Sequence, residues 1–325
     1  MRIQLLLAIV LAAAASSVPA VSQSAFPVAD RRARLESAYG DIDRLFADFI
    51  KASHVPGAAW GVIIDGELAH SGAAGVRDTV SNTPVDVDTV FRIASMTKSF
   101  TAVAILKLRD EGRLSLDDPA ERYVPELKTL RYPTSDSPRI TIRHLLTHSE
   151  GFPEDNAWGD QQLSETEESF TRMLREGIPF STAPGTAYEY SNYGFAILGR
   201  IVSTLSRQSY DEYVTKNILQ PLGMTSTTLH ADRVPKGRLG VGYRWEDERW
   251  KEEPALPHGS FGSMGGMLTT IRDLSRYVAL FLDAWPPRDR PERGPLRRAS
   301  LPEMQHPCRP SPTRVVLAKA ARSAP

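Results

Sequence analysis

The stretch that decides the fold runs from residue 91 to residue 102 and reads Phe91-Arg92-Ile93-Ala94-Ser95-Met96-Thr97-Lys98-Ser99-Phe100-Thr101-Ala102. Ser95 and Lys98 form an S-x-x-K pair at the start of an apolar run with helical spacing. Residues i and i+3 share one face of a helix, so the hydroxyl and the amine should lie side by side. A serine hydroxyl becomes a nucleophile when a neighbouring base takes its proton, and a lysine with a lowered pKa can be that base. The pair therefore predicts a catalytic Ser95 with Lys98 beside it.

The position at a helix N-terminus favours the same interpretation. Free backbone N–H groups and the helix dipole stabilise negative charge that develops there. The motif alone is weak, because ordinary residue frequencies produce about one S-x-x-K in a chain of this length. The alternative is an ordinary start of a surface helix.

A second element, Tyr190-Ser191-Asn192, lies about a hundred residues further along the chain. Two residues that are two apart in an extended segment point the same way, so Tyr190 and Asn192 should face a common site. Tyr190 could relay a proton between nucleophile and leaving group. Asn192 could hold Lys98 and a substrate amide oxygen through hydrogen bonds. The alternative is a loop tyrosine in front of the helix predicted from Tyr193.

These two elements and their surroundings together resemble the class C β-lactamases, D-aminopeptidases and related esterases, which belong to the superfamily of serine β-lactamases and DD-peptidases. The resemblance covers about Leu35 to Leu282, and S-x-x-K is its nucleophile motif. Five further segments fit the family in order: Gly112 to Pro119, Ile142 to Gly151, Pro184 to Gly194, Pro221 to Met224, and Met264 to Leu274.

The resemblance implies an α+β fold of the β-lactamase/DD-peptidase type, with an antiparallel sheet flanked by helices and an all-helical region that carries the Tyr190 loop. It implies acylation of Ser95, proton transfer by Lys98 and Tyr190, substrate binding by Asn192, and no metal or other cofactor. The order of elements read from the residues, with a strand pair before a long helical block and then a short hairpin, also favours α+β.

The family's third element is Lys-Thr-Gly or His-x-Gly on a strand that closes the site and supplies an oxyanion-hole N–H. After Leu282 the sequence contains neither, and His258-Gly259 precedes the last clear helix and so stands in the wrong place. We therefore expect the C-terminal strands of the sheet to be missing. We interpret the chain as a truncated or frameshifted product, which sequencing of the gene would test.

The ends of the chain have their own composition. Arg2, an apolar run from Ile3 to Ala15, and Val18-Pro19-Ala20 predict a signal peptide over residues 1–20, and hence a periplasmic or secreted protein with no stable membrane span after processing. The alternative is an uncleaved anchor. The hydrolase domain is assigned to residues 30–285, and the Pro- and Arg-rich residues 286–325 are expected to be a disordered tail, with a helical turn or two possible between Arg298 and Gln305.

Charge excludes some partners. Lys plus Arg and Asp plus Glu are 39 each, so the zero net charge offers nothing that would attract nucleic acid, and a small-molecule or peptide substrate is expected. The single Cys308 cannot form an internal disulfide. His144 and His148 have a spacing that can hold zinc, but a third ligand is not obvious in the sequence, and we expect no metal there. Nothing in the sequence sets the oligomeric state.

Local signals predict several elements. The periodicity predicts one helix from Asp30 to Ala52, and Asp65-Gly66 between two β-like runs predicts a hairpin. Ser164 and Glu167 have capping-box spacing, and Thr141 and Thr270 are candidate N-caps.

Three functions remain open: a serine acyl hydrolase acting on β-lactams, D-amino-acid peptides or esters; a penicillin-binding protein that acylates but barely turns over; and a non-catalytic pseudoenzyme. The Ser95 and Tyr190 motifs favour the first function, and the missing third element favours the last.

Overall fold

The computed structural model describes residues 28–287, 289, 291–292 and 294–306. The chain divides into two units between Gly40 and Asp41. The predicted signal peptide, residues 1–20, and residues 307–325 of the predicted tail lie outside the described residues. No helix in the described part of the chain combines the length and the apolar character needed to cross a bilayer.

Helix α1 (Val28–Glu36) belongs to the first unit, and α2 (Tyr39–Ala52) begins in its last two residues. The single helix predicted from Asp30 to Ala52 is therefore wrong. The Ser37 hydroxyl donates a hydrogen bond to the Arg34 carbonyl, and the Ala38 N–H donates to the Leu35 carbonyl. These local i to i−3 bonds replace the helical ladder and end α1, which the apolar periodicity did not reveal.

The second unit contains the remaining helices and all strands described. The helices after α2 are α3 (Thr97–Asp110), α4 (Ile142–Leu146), α5 (Gly159–Gln162), α6 (Glu167–Glu176), α7 (Asn192–Ser206), α8 (Tyr210–Val214), α9 (Gly262–Gly265), α10 (Ile271–Asp283) and α11 (Ser300–Glu303).

The largest sheet has the strand order β1-β2-β3 and is antiparallel, formed by β1 (Gly57–Ile64), β2 (Glu67–Asp78) and β3 (Thr83–Pro84). Asp65 and Gly66 join β1 to β2 with φ of 54° and 81°. Two positive φ angles are what a type I′ hairpin turn requires, so the predicted hairpin is confirmed.

Two further antiparallel pairs complete the strands: β4 (Phe91–Arg92) with β7 (Leu268–Thr269), and β5 (Gly242–Glu246) with β6 (Arg249–Glu253). Among the described residues no strand follows Thr269.

Half of the residues of helix α3 are apolar, and nine of its 14 residues are buried, as is typical of a central helix. Phe100, Ile105 and Leu108 are fully buried, and α3 packs against α7 and α9. The Phe100 ring stacks on Tyr277 of α10, with 3.8 Å between ring centroids. The residues that follow Ser95 are thus anchored in the core of the helical region.

Helix caps are confirmed at two positions and differ at a third. The Thr141 and Thr270 hydroxyls accept hydrogen bonds from the N–H groups of His144 and Asp273, as predicted. Helix α6 instead begins at Glu167, with Thr166 as its N-cap, so the predicted Ser164 cap is wrong. Thr166 is equally able to cap a helix, and hydroxyl residues two apart cannot be separated by spacing alone.

Part of the predicted tail is packed within the second unit. Leu296 and Leu301 are buried, and the Ser300 hydroxyl donates to Asp110 at the end of α3. The helical turn α11 lies within the stretch from Arg298 to Gln305 where a turn was expected. Two isolated leucines have no periodicity, which is why composition alone predicted disorder here.

Candidate active site

Ser95 is the middle residue of a 3₁₀ turn, Ala94–Met96, which leads into α3 and leaves the serine exposed. A backbone hydrogen bond anchors the start of this turn. The Ile93 N–H donates to the Met267 carbonyl at 3.0 Å, next to the pairing of β4 with β7. Ala94 has a φ of 44°, a left-handed conformation that costs energy for any residue except glycine. Such strain is common where a backbone presents a reactive side chain.

Lys98 lies one helical turn after Ser95, and its side chain is buried with 6% exposure. Its Nζ lies 3.2 Å from Ser95 Oγ, 2.7 Å from Asn192 Oδ1 and 2.8 Å from the carbonyl oxygen of Met264. Ser95 and Lys98 therefore lie side by side, as predicted. Asn192 and Met264 are two further hydrogen-bond partners of Lys98.

The identity of these partners determines what Lys98 can do. An amide oxygen and a backbone carbonyl can only accept hydrogen bonds, so Asn192 and Met264 each require an N–H from Lys98. A neutral amine has two N–H groups and one lone pair. With both N–H groups engaged, the lone pair of a neutral Lys98 points at the hydroxyl of Ser95, which is the arrangement of a general base.

Burial makes the neutral form accessible. Desolvation lowers the pKa of Lys98 to about 7, against a smaller opposing effect of the Asp155 carboxylate. A substantial fraction of Lys98 is then unprotonated near neutral pH, where an exposed lysine would be fully charged.

Tyr190 completes the hydrogen bonds at the nucleophile, with its phenol oxygen 2.7 Å from Ser95 Oγ. Burial raises the pKa of Tyr190, while its hydrogen bond with Ser95 acts in the opposite sense. The phenol is therefore protonated at neutral pH. Tyr190 is a donor to Ser95 and a proton carrier in this arrangement, and Lys98 is the base.

The loop that carries Tyr190 and Asn192 is held by a buried carboxylate. Asp155 accepts hydrogen bonds from the backbone N–H groups of Asn192 at 2.6 Å and Tyr193 at 2.9 Å, at the N-terminus of α7. These N–H groups have no partner within a helix, and a carboxylate there also complements the helix dipole. Asp155 is therefore a positioning residue for the loop.

His148 holds the same loop from the other side. Its Nδ1 accepts a hydrogen bond from the Ser191 N–H at 3.0 Å, and its ring stacks on Tyr190 with centroids 4.6 Å apart. Burial, and secondly the charge of Lys98, lower the pKa of His148 to about 4. The imidazole is thus neutral near pH 7, as an acceptor must be.

Helix α9, which supplies the Met264 carbonyl, is also hydrogen-bonded to α3 one turn beyond Lys98. The Thr101 hydroxyl donates to the Ser263 carbonyl at 2.7 Å, so the Tyr210 hydroxyl, also 2.7 Å away, must donate to Thr101. This chain of hydrogen bonds keeps α9 in register with the helix that carries Lys98.

The structure brings together all four residues that the sequence singled out: Ser95, Lys98, Tyr190 and Asn192. Sequence reasoning missed the Met264 carbonyl as a partner of Lys98, because a backbone group has no motif of its own. It also missed Asp155, which follows a family segment but has no distinctive spacing. His144 caps α4 while His148 supports the Tyr190 loop, and the two do not form a metal-ligand group among the described residues.

Comparison with known proteins assigns the family. The protein-family model described as Beta-lactamase matches residues 42–321. Protein flp of Staphylococcus aureus (strain COL) is 30% identical over 248 residues, 74% of this chain and 48% of that protein. Beta-lactamase-like protein 2 of Dictyostelium discoideum is 29% identical over 260 residues, 78% of this chain and 47% of that protein. The chain spans about half the length of these curated relatives.

Two solved structures share the fold. The octameric penicillin-binding protein homologue from Pyrococcus abyssi superposes with a TM-score of 0.70 at 30% identity, covering 82% of this chain and 60% of that one. EstCE1, a hydrolase with promiscuous acyltransferase activity, superposes with a TM-score of 0.67 at 19% identity, covering 85% of this chain and 77% of that one. Since the family model spans most of its residues and both structures share its α+β fold, the chain belongs to the Beta-lactamase family.

Proposed function

We propose that this chain is an exported serine hydrolase that forms an acyl-enzyme on Ser95 and hydrolyses an amide, a β-lactam or an ester. The observation that carries the proposal is the pair of contacts at Ser95 Oγ, where Lys98 Nζ lies at 3.2 Å and the Tyr190 phenol at 2.7 Å. One contact suits removal of the serine proton, and the other suits donation of a proton to whatever leaves the carbonyl carbon.

In the acylation step, Lys98 takes the Ser95 hydroxyl proton as Oγ bonds to the substrate carbonyl carbon. The C–N or C–O bond of the substrate then breaks, and the leaving group receives the Tyr190 proton. Tyr190 recovers a proton from the ammonium of Lys98, so both residues return to their starting states. In deacylation a water molecule attacks the ester, and the proton returns to Ser95 by the reverse path.

Three exposed apolar side chains flank this arrangement: Met96, Tyr188 and Trp158. Met96 follows Ser95, and Tyr188 makes an edge contact with His148, which stacks on Tyr190. Trp158 precedes Gly159, where a Cβ would stand 2.6 Å from the Asn192 amide nitrogen. We infer a substrate with an apolar group next to the scissile carbonyl and with an amide oxygen that Asn192 would bind.

Export rests on the N-terminal sequence. The basic start, the apolar run and the small residues at 18–20 form a pattern typical of a secretory signal peptide. A periplasmic or secreted location suits a hydrolase whose substrates are outside the cytoplasm. Cell fractionation of the native protein, with N-terminal sequencing of the mature chain, tests it: a mature protein that begins after residue 20 is expected.

Covalent labelling tests the acyl-enzyme. The purified chain is treated with a fluorescent penicillin and, separately, with a fluorophosphonate, and the adduct is located by peptide mass mapping. We expect one adduct per chain, on the peptide that carries Ser95, and none in Ser95→Ala. The matched control is Ser99→Ala, which removes a hydroxyl that donates to the Met96 carbonyl one turn along the same face and should label normally. Equal labelling of Ser95→Ala and the unaltered chain would disprove the proposal.

The pH dependence of labelling should report on Lys98. Because desolvation lowers the pKa of Lys98 to about 7, the base is protonated below that pH and neutral above it. The labelling rate constant should rise about tenfold per pH unit below 7 and level off above it. A rate that keeps rising to pH 10 would show that Lys98 stays charged in the folded protein.

A slow penicillin-binding protein is the second candidate. One observation favours it: the penicillin-binding protein homologue from Pyrococcus abyssi is 30% identical to this chain and covers 82% of it. Turnover of a chromogenic β-lactam or ester distinguishes the two. Stoichiometric labelling followed by turnover slower than about once a minute would favour the second function, given typical enzyme rates of roughly 1–10³ per second.

A further inference from the structure

A second cluster of ionisable side chains lies outside the catalytic residues. Among the described residues, Asp211, His230 and His258 are the one group of three whose ligand atoms could hold a metal ion, with all three atoms within 4.8 Å of one another. They come from three separate parts of the chain: the first turn of α8, the segment after Thr228, and the turn before α9. We propose that this cluster is a binding site for a divalent transition-metal ion of the zinc class.

The distance between the two histidine nitrogens fits coordination, whereas the Asp211–His230 distance is that of a hydrogen bond. The Nε2 atoms of His230 and His258 are 3.4 Å apart, beyond the usual length of a nitrogen hydrogen bond. Two nitrogens on a tetrahedral zinc ion, each at about 2.0–2.1 Å, stand about 3.3–3.4 Å apart. Asp211 Oδ2 lies 2.8 Å from His230 Nε2 and would have to move outward by roughly 0.5 Å to take its place on the same ion.

The local structure fixes the imidazole of His258. A Cβ on Gly262 would stand 2.9 Å from His258 Nδ1, and one on Gly266 would stand 3.0 Å from His258 Cβ. The two glycines thus leave a recess that the histidine fills. The rings of His230 and His258 meet edge to face, with centroids 4.5 Å apart, so that the Nε2 edges converge.

The ligand types and their exposure suit a metal ion. Neutral imidazole and carboxylate are the forms that bind metal ions. The Asp211 and His230 side chains are 15% and 26% exposed, which leaves access for the ion and for a water as fourth ligand.

The place of the cluster in the fold suggests what the ion would do. Asp211 follows Tyr210, which donates to Thr101 of α3. His258 precedes α9, whose Met264 carbonyl accepts from Lys98. The Thr228 segment pairs with Leu268 of β7. An ion bound here would join three segments that lie directly behind the catalytic residues, and its role would be structural.

Metal titration tests the proposal without any measurement of activity. The untagged full chain is stripped with a chelator, desalted, and titrated with Zn²⁺ by calorimetry and with Co²⁺ by visible absorption. We expect one ion per chain, a tetrahedral Co²⁺ spectrum, and a rise in Tm of roughly 5 °C when zinc is at about 100 times its dissociation constant. His258→Ala, His230→Ala and Asp211→Asn should each lower zinc affinity by at least about 100-fold, since loss of even an outer partner can cost about 10–100-fold.

The matched control is His70→Ala. His70 Nε2 is paired with Asp43 at the same 2.8 Å as His230 with Asp211, but that pair belongs to no three-residue group among the described residues. Its loss should leave zinc affinity unchanged. Asp211→Asn preserves shape, so circular dichroism and Tm of that variant separate lost binding from lost folding. No binding to the stripped chain, or binding that the three substitutions leave unchanged, would overturn the proposal.

Discussion

Replacing Lys98 by methionine should lower the rate constant for acylation of Ser95 by about 10³–10⁴-fold, at the upper end of what a general base contributes. Methionine nearly matches the length and burial of the lysine stem, so the change removes the base with little change of volume. It also leaves the Asn192 amide oxygen and the Met264 carbonyl without their donor. The rate constant is measured with a fluorescent penicillin under excess reagent, and Tm is measured in parallel.

Two further variants separate loss of the base from loss of side-chain packing. Lys107→Met changes a lysine on the same helix that pairs with Glu111 near the surface, and it should label at the normal rate. Lys98→Arg keeps the positive charge and the donors but cannot give up a proton at neutral pH, so it should be as slow as Lys98→Met. In both Lys98 variants the rise in rate through pH 7 should disappear. A loss smaller than about tenfold in Lys98→Met would point to another base.

Replacing Glu150 by glutamine should stabilise the protein at alkaline pH. Glu150 is fully buried, and neither of its carboxyl oxygens has a well-formed hydrogen bond among the described residues. Desolvation raises the pKa of Glu150 to about 8. Contacts with its own backbone N–H and with the Ser191 hydroxyl act to lower the pKa, but their effect is smaller. A Cβ on Gly194 would stand 2.4 Å from Glu150 Oε1, so the first turn of α7 closes over the carboxyl group.

The direction of the effect follows from proton linkage. Folding favours the protonated carboxyl, so its contribution to stability is complete below pH 4.5 and is lost progressively as the pH rises towards 8. Glutamine cannot ionise and avoids that loss. At about 1.4 kcal/mol per pKa unit, the variant should gain about 3–5 kcal/mol over the unaltered chain above pH 8.

Urea unfolding followed by circular dichroism from pH 5 to pH 9 measures this difference. The free energy of unfolding of Glu150→Gln minus that of the unaltered chain should rise from pH 5 to about pH 8 and then stay level, because the other titrating groups are the same in both proteins. Glu252→Gln, at an exposed carboxyl on β6, is the control and should follow the unaltered chain. If the curves of Glu150→Gln and the unaltered chain run parallel, folding does not shift the pKa of Glu150.

Local spacing was enough to predict the features that local geometry governs. The Ser95–Lys98 contact follows from three residues on a helix, and the β1–β2 hairpin follows from Asp65-Gly66. Spacing predicted the wrong N-cap for α6: the structure uses Thr166 rather than Ser164. It failed again where burial depended on isolated residues such as Leu296.

The sequence by itself determined the family, the α+β fold, and the four residues Ser95, Lys98, Tyr190 and Asn192. Only the tertiary structure decided how Lys98 could act, because its partners Asn192 and Met264 are 94 and 166 residues away in the chain. It likewise decided that Asp155 holds the Tyr190 loop and that His258 meets His230. Helical and turn spacing is a property of neighbouring residues, whereas desolvation and the convergence of distant side chains arise only when the whole chain packs.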